Sequence, residues 1–155
     1  MSDADPRQVV VFALGEDLFA ADVRLVERVL RHRAPVPVPQ LPPWVAGVVE
    51  HAGRSLPVVD LRQRFELPAA PPGVERRVLV AGSGAEAVGL VVDRVLEVAP
   101  VGGALDPAPA LFRGLAREYL HGILRRDDGL VIVLDLARLL TATERIALQQ
   151  ALVDV

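Results

Sequence analysis

Three histidines, two aspartates at the ends of apolar runs and one glycine-rich turn are the residues of this 155-residue chain whose types could do chemistry. His32, His51 and His121 lie in separate segments without the spacing that places ligands around a metal. Asp60 and Asp135 each close an apolar run and precede a helix-like start. Capping accounts for both, because a carboxylate there accepts from the first free amides of the helix. Ser55 and Ser83 lack the G-x-S-x-G elbow that exposes a nucleophile. Gly82-Ser83-Gly84-Ala85-Glu86-Ala87 matches G-x-G-x-x-A after a strand. Dinucleotide binding needs a helix next, whose N-terminal amides meet the pyrophosphate. The following Ala87–Val92 is Val-rich with Gly89 inside and reads as strand, so the motif reads as a hairpin turn. The expectation is a non-enzyme with no catalytic, cofactor-binding or metal-binding set.

Composition narrows the classes that remain. Hydrophobic residues make up 52% of the chain, which supplies the apolar side chains that disordered segments lack. The length suits one domain, or two small halves sharing a core. The absence of Cys excludes a disulfide scaffold and any Cys-based zinc or redox site. All 17 basic residues are Arg, interspersed with 20 acidic residues for a net charge of −3. The missing Lys and Asn read as coding bias. No block of five like charges occurs, so the chain offers no electrostatic footprint for nucleic acid or anionic lipid. The opening Met1-Ser2-Asp3-Ala4-Asp5-Pro6 is acidic and unlike a signal peptide. No apolar run approaches the roughly 18 residues of a transmembrane helix. The expectation is a cytoplasmic protein with no nucleic-acid partner and no direct membrane insertion.

The elements that would position a site are mostly strands. Short Val-rich runs cover Gln8–Leu14, Leu18–Ala21, Ala46–Glu50, Ser55–Val59, Arg77–Ala81, Ala87–Val92, His121–Leu124 and Leu130–Leu134. Gly, Pro or charge pairs separate most of them, the pattern of a barrel or sandwich rather than of βαβ units. Gly15-Glu16-Asp17, Gly82-Ser83-Gly84 and Asp127-Asp128-Gly129 supply hairpin turns. Three helices are predicted. Asp22 caps Val23–Arg31, Asp60 caps Leu61–Phe65, and Asp135 caps Leu136 to about Leu152. The Pro-rich stretches Pro35–Pro43 and Pro68–Pro72 read as a stiff connection and an exposed loop.

An internal repeat organises these runs. Trp44–Leu61 lies over Tyr119–Leu136 without a gap, matching Trp44 with Tyr119, Gly47 with Gly122, Val58 with Val133, Asp60 with Asp135 and Leu61 with Leu136. Phe12–Leu30 resembles Leu79–Leu96 less strictly, matching Val26, Val29 and Leu30 with Val92, Val95 and Leu96. The repeat predicts a mainly β domain over residues 8–141, with halves of about 8–66 and 76–141 forming two intertwined barrels of about five strands each. Neither half has much core of its own, so shared burial is expected, with a groove at the junction. Residues 142–155 read as a C-terminal helical extension that either packs back on a barrel, which its modest apolar stripe favours, or docks a partner.

The ordered set of motifs resembles the CheW-type adaptors. GVVEHAGRSLPVVDLRQRF (Gly47–Phe65) looks like that family's signature, which runs Gly-Val-(Ile/Val)-Asn-Leu-Arg-Gly, then an apolar strand, then Pro-(Val/Ile)-(Val/Ile)-Asp-Leu-Arg. FALGEDLFAADVRLVERVL (Phe12–Leu30), PVPVPQLPPWVAG (Pro35–Gly47), VGLVVDRVLEV (Val88–Val98), YLHGIL (Tyr119–Leu124) and LVIVLDLARLL (Leu130–Leu140) resemble its other parts, in order. The resemblance implies a CheW-like fold of two SH3-like five-stranded barrels around a shared core. It implies a non-enzymatic adaptor in bacterial chemotaxis or motility signalling. Its partners would be a chemoreceptor's cytoplasmic tip, lying in the groove, and the regulatory domain of a CheA-type histidine kinase, meeting a barrel end through exposed apolar side chains. Other CheW-like domains could join it in rings.

The family's Asn-Leu-Arg-Gly falls here on Glu50-His51-Ala52-Gly53, so the turn's Arg is replaced by Ala52. In the family that Arg faces a Glu on the first helix, whose position aligns with Arg28; a one-residue helix shift would put Glu27 there instead. Position by position, the resemblance assigns the interface to Val23, Val26, Arg28, Val29, Ala46, Gly47, Val48, Ala52 and Gly53, with Glu50, His51 and Arg54 as exposed, partner-facing residues. Core packing is the competing role for Val26 and Val29, and turn or close-approach geometry for Gly47 and Gly53. Trp44 reads as a half-buried staple over a barrel. Two other readings compete: a divergent CheW-like scaffold in gliding or pilus motility with altered kinase or receptor binding, and a β-barrel enzyme, against which the missing catalytic set argues. An excised kinase regulatory domain is disfavoured, because no phosphotransfer or ATP-binding segment accompanies the fold.

Overall fold

Residues 9–14 form a stretch of strand buried on both faces, and this is why they read as an unbroken apolar run. Val9 and Val11 enter one buried cluster; Val10, Phe12 and Leu14 enter another. Side chains alternate across a strand, so one strand can serve two cores only if both faces are covered. The computed structural model describes residues 6–39, 44–82, 87–107, 119–127 and 129–140. These hold β1 (Gln8–Leu14), β2 (Asp17–Asp22), β3 (Val26–Arg31), β4 (Val45–His51), β5 (Arg54–Asp60), α1 (Leu61–Arg64), β6 (Arg77–Ala81), β7 (Val88–Val92), β8 (Arg94–Pro100), β9 (Leu120–Arg126) and β10 (Gly129–Leu134). Residues 136–140 are helical, and Asp135 caps them by accepting from the Arg138 amide at 3.1 Å. The rest of the predicted C-terminal helix, including the 142–155 extension, lies outside the described residues, as do Ser83, Gly84 and Asp128 of the predicted turns.

Two five-stranded sheets form, in the orders β8-β1-β2-β10-β9 and β3-β6-β7-β5-β4. Neither sheet coincides with a repeat half. The first takes β1 and β2 from one half and β8 to β10 from the other; the second takes β3 to β5 and then β6 and β7. Four pairings join the halves: the antiparallel β1–β8 and β3–β6 and the parallel β2–β10 and β5–β7, which are the two parallel pairings among otherwise antiparallel neighbours. Each sheet curls so that its edge strands meet. Arg126 on β9 reaches Glu97 on β8 at 3.1 Å, and Arg33, just beyond β3, donates to the Glu50 carbonyl on β4 at 2.6 Å. One cluster fills the first curl (Val9, Val11, Ala20, Val131, Val133) and a second fills the other (Val49, Leu56, Val58, Val78, Val80, Val91). A third and larger cluster lies between the sheets and draws on both, including Phe12, Leu61, Leu79, Leu90, Leu134 and Leu136. Shared burial between the halves is thus the main core.

The helix predicted over Val23–Arg31 is a correction. Asp22 caps as expected, accepting from the Arg24 amide at 3.0 Å, but only a 3₁₀ turn over Val23–Leu25 follows before β3 begins. Apolar residues at 26, 29 and 30 suit a helix face, yet they equally suit an edge strand with a bulge. The pairing of β3 with β6 slips between Val26 and Arg28, which resets the alternation and admits Glu27 as the extra residue. β8 is missing from the apolar runs because Arg94 and Glu97 interrupt it and one face is exposed. The motif at Gly82 leads into strand β7, in keeping with the hairpin reading.

The repeat's paired glycines have a shared physical cause. A Cβ on Gly47 would stand 2.2 Å from the Val36 carbonyl oxygen, and one on Gly122 would stand 2.6 Å from that of Asp106. In each case a crossing segment makes a two-hydrogen-bond bridge beside the glycine, Val36 with Val48 and Asp106 with Ile123. The paired aromatics are linked too. The Arg64 guanidinium lies 4.4 Å over the Trp44 ring and 5.1 Å over Tyr119, and donates to the Tyr119 hydroxyl at 2.8 Å. Trp44 is half-buried against the shared core, as its staple role predicts.

A buried ion pair ties the halves together. Arg62 of α1 forks onto Asp93, between β7 and β8, with Nε to Oδ1 at 2.9 Å and NH2 to Oδ2 at 2.5 Å. Asp93 also accepts from the Gly15 amide in the β1–β2 turn at 2.6 Å, and Arg62 donates to the Pro68 carbonyl at 2.7 Å. Burial pushes the Asp93 carboxyl up, but the Arg62 and Gly15 hydrogen bonds outweigh it and hold the group below its ordinary 3.8. A value lowered by folding stabilises above the unfolded pKa and loses that contribution as pH falls through the folded one. Asp93→Asn is expected to cost about 3 kcal/mol at neutral pH, because it strands a buried guanidinium. Urea unfolding at pH 7 and pH 3 checks this: the gap between wild type and variant narrows at pH 3, and an equal gap at both would contradict it.

Candidate partner-binding surface

The β4–β5 hairpin closes through a two-residue turn, since His51 pairs with Arg54 across it. Ala52 and Gly53 both take positive φ, 50° and 76°, the geometry that matches the twist of paired strands. Glycine tolerates this, whereas Ala52 is strained there. Beside the hairpin is a cleft of about 440 Å³ lined by Glu27, His51, Ala52, Arg54, Ser55, Leu56 and Ala87. A shallower depression of about 330 Å³ adjoins it through Ser55 and includes Arg33, Val36, Val48 and Glu50.

Against the expected interface, the structure separates supports from exposed groups. His51, Ala52 and Arg54 meet around the cleft, and Val48 and Glu50 line the neighbouring depression. Val23 and Val26 are half-buried against the shared core, Ala46 packs on the second sheet's core, and Gly47 is buried beneath Val36. Val29 is exposed at 42%. Arg28 is exposed on β3 but lines neither opening; Glu27 stands at the cleft in its place. Gly53 lies at the exposed tip, with nothing within 4 Å of where its Cβ would be. Sequence reasoning did not assign Ser55, Leu56 or Ala87 to the site. Leu56 reads as an interior residue of the hairpin's own strand, and Ala87 is brought beside the hairpin by the long-range pairing of β7 with β5.

A second exposed patch lies on the other sheet. Leu96 and Val98 on β8 are 42% and 55% exposed, and Leu96 is the extra residue where the pairing of β8 with β1 shifts register. Glu97 between them is held by Arg126. Among the described residues no group of three His, Asp or Glu could hold a metal ion, and no helix is long and apolar enough to cross a membrane.

A model of the CheW-like domain family matches residues 8–144. The chain belongs to the CheW-like domain family. It is 28% identical over 140 residues to the chemotaxis protein CheW of Rhizobium meliloti, covering 90% of each chain. It is 30% identical over 137 residues to the protein FrzA of Myxococcus xanthus, covering 86% of each. The crystal structure of the scaffolding protein TtCheW from Thermoanaerobacter tengcongensis superposes with a TM-score of 0.73 at 28% identity, covering 84% of this chain and 89% of that one. Family and structural likeness together make this chain a non-enzymatic, CheW-like scaffold of chemotaxis-type signalling.

The conformational cost of the β4–β5 turn falls on Ala52, the turn residue that carries a Cβ at positive φ. Ala52→Gly is expected to stabilise the chain by about 0.5–1 kcal/mol by relieving positive φ, and Gly53→Ala to destabilise it by about 1 kcal/mol though nothing crowds it. Thermal unfolding of the two variants checks the pair; a loss on Ala52→Gly contradicts the turn geometry.

Proposed function

We propose that this chain is a cytoplasmic adaptor that couples the tip of a methyl-accepting chemoreceptor to the regulatory domain of a CheA-type histidine kinase. The observation that carries the reading is the presence of two separate exposed surfaces on one core. A coupler needs two faces that can be occupied together. The β4–β5 hairpin with its cleft belongs to one sheet, and the Leu96–Val98 patch belongs to the other. Large apolar side chains left exposed are what a partner's surface would cover.

In this reading the receptor's helical hairpin contacts Val29, Val48, Glu50, His51, Ala52, Gly53 and Arg54. Val23, Val26, Ala46 and Gly47 hold that surface in place from beneath, and Arg28 stands beside it. The kinase domain, or another CheW-like domain in a ring, takes the apolar patch. A second reading has the same scaffold serve a different motility system with altered partners. Its support is the relative named FrzA, which is 30% identical over 86% of this chain, together with the Glu50-His51-Ala52 departure.

Co-elution tests the proposal. The chain is expected to elute with the receptor tip and, separately, with the kinase regulatory domain of the same organism. Binding to one alone supports the second reading, and failure with both overturns the adaptor reading.

A further inference from the structure

Two arginines stand directly opposite one another at the edge of the second sheet. Arg31 of β3 pairs with Arg77 of β6, past the bulge, where the register is regular. The next pair, His32 with Arg76, is hydrogen-bonded through the His32 amide at 3.2 Å. Bonded and non-bonded pairs alternate along an antiparallel ladder. Arg31 and Arg77 therefore form a non-bonded pair, the kind whose side chains stand closer. Like charges placed opposite each other destabilise a sheet. The Arg77 guanidinium donates to the Arg76 carbonyl at 3.1 Å and lies 3.8 Å from Glu75, whose side chain is 83% exposed.

The surroundings add to the excess of positive charge. Residues 26–33 and 75–81 carry five Arg and two Glu, in a chain whose net charge is −3. Arg76 is matched by Asp60 at 3.2 Å, whereas Arg33 donates to a neutral group, the Glu50 carbonyl. Neighbouring residues fix the face on which the pair lies. Leu79 and Ala81, on the same face of β6 as Arg77, enter the core shared by the sheets. Arg31 and Arg77 thus stand at the rim of that core. Val29 lies on the same face of β3 as Arg31 and is exposed. One surface therefore offers an apolar side chain and, about 7 Å further along the strand, two guanidinium-bearing side chains.

We infer that Arg31 and Arg77 together receive a carboxylate side chain from the docked receptor hairpin. This rests on the receptor reading above and names the chemistry of one contact. Charge complementarity selects the occupant. A carboxylate set between the two guanidiniums turns one repulsion into two attractions, and its two oxygens suit the forks of both. A helix laid along β3 has turns about 5.4 Å apart. The expected residue is therefore an Asp or Glu about one turn from the apolar side chain that covers Val29. The pair also sets register, because a hairpin shifted by a turn leaves the two cations facing each other without that carboxylate.

Calorimetric titration of the full chain with the receptor's cytoplasmic hairpin, at low and high salt, tests the inference. Arg31→Gln is expected to weaken binding about tenfold and to flatten its salt dependence, and Arg31→Glu to weaken it further. Arg125→Gln removes the same charge from an exposed position on the other sheet and is expected to bind within about twofold of wild type. Thermal unfolding of the free chain gives a second readout. Removing one of two opposed cations is expected to raise the Tm of Arg31→Gln by about 1–3 °C at low salt. A carboxylate already holding Arg31 within its own chain would instead make that Tm fall. Hairpin binding unchanged by Arg31→Gln, an equal loss in Arg125→Gln, or a lower Tm in Arg31→Gln overturns the inference and leaves the receptor reading intact. A loss confined to the kinase regulatory domain does the same. Absence of hairpin binding by the wild type overturns both.

Discussion

The whole arrangement depends on strands that must be buried on both faces. In a chain of 155 residues, halves of about 70 residues bury comparatively little surface by themselves, so a shared face adds to the core of each. Here each sheet curls around a small cluster of its own and shares its other face with its neighbour. The pairings β1–β8, β2–β10, β3–β6 and β5–β7 make this possible, because each stitches a strand of one repeat half to a strand of the other. Neither sheet is complete without both halves of the chain. The Arg62–Asp93 fork sits at this crossing, joining α1, the β7–β8 junction and the β1–β2 turn through four hydrogen bonds that also include Gly15 and Pro68. A buried ion pair satisfied in this way fixes a geometry more than it adds stability.

Function follows from what the shared core leaves outside. With the inner faces taken, the hairpin tips and the exposed faces of edge strands remain for partners. The β4–β5 hairpin is anchored at Gly47 by the crossing Val36 segment and at Trp44 by the Arg64 guanidinium, so its tip is presented by a rigid base. Rigidity lowers the ordering cost of association. The β8 face belongs to the other sheet but is tied to the same inner core through Val95. One rigid body therefore carries two outward surfaces, as a scaffold requires.

Much of this was legible in the sequence, and the misses share one physical origin. Local signals spoke clearly: the Val-rich runs, the three capping aspartates Asp22, Asp60 and Asp135, and the Gly47–Gly122 and Trp44–Tyr119 correspondences each map onto a structural feature. Pairing between distant strands leaves no local trace, so the exchange of strands between halves was not readable from the repeat. Val23–Arg31 was misread because three apolar residues at 26, 29 and 30 fit a helix face and a bulged edge strand equally well. That same bulge decides whether Glu27 or Arg28 meets the hairpin. The Arg62–Asp93 pair spans 31 positions and gave no motif. The resemblance to CheW-type adaptors carried the fold beyond what spacing alone supports, since it covered β8, which the apolar runs left out.

The central claim is that two surfaces on one core can be occupied together. Sedimentation velocity of the chain mixed with the receptor hairpin and the kinase regulatory domain addresses it directly. The account predicts a single faster-moving species containing all three components. A mixture in which each partner displaces the other, with only two-component species present, would contradict it.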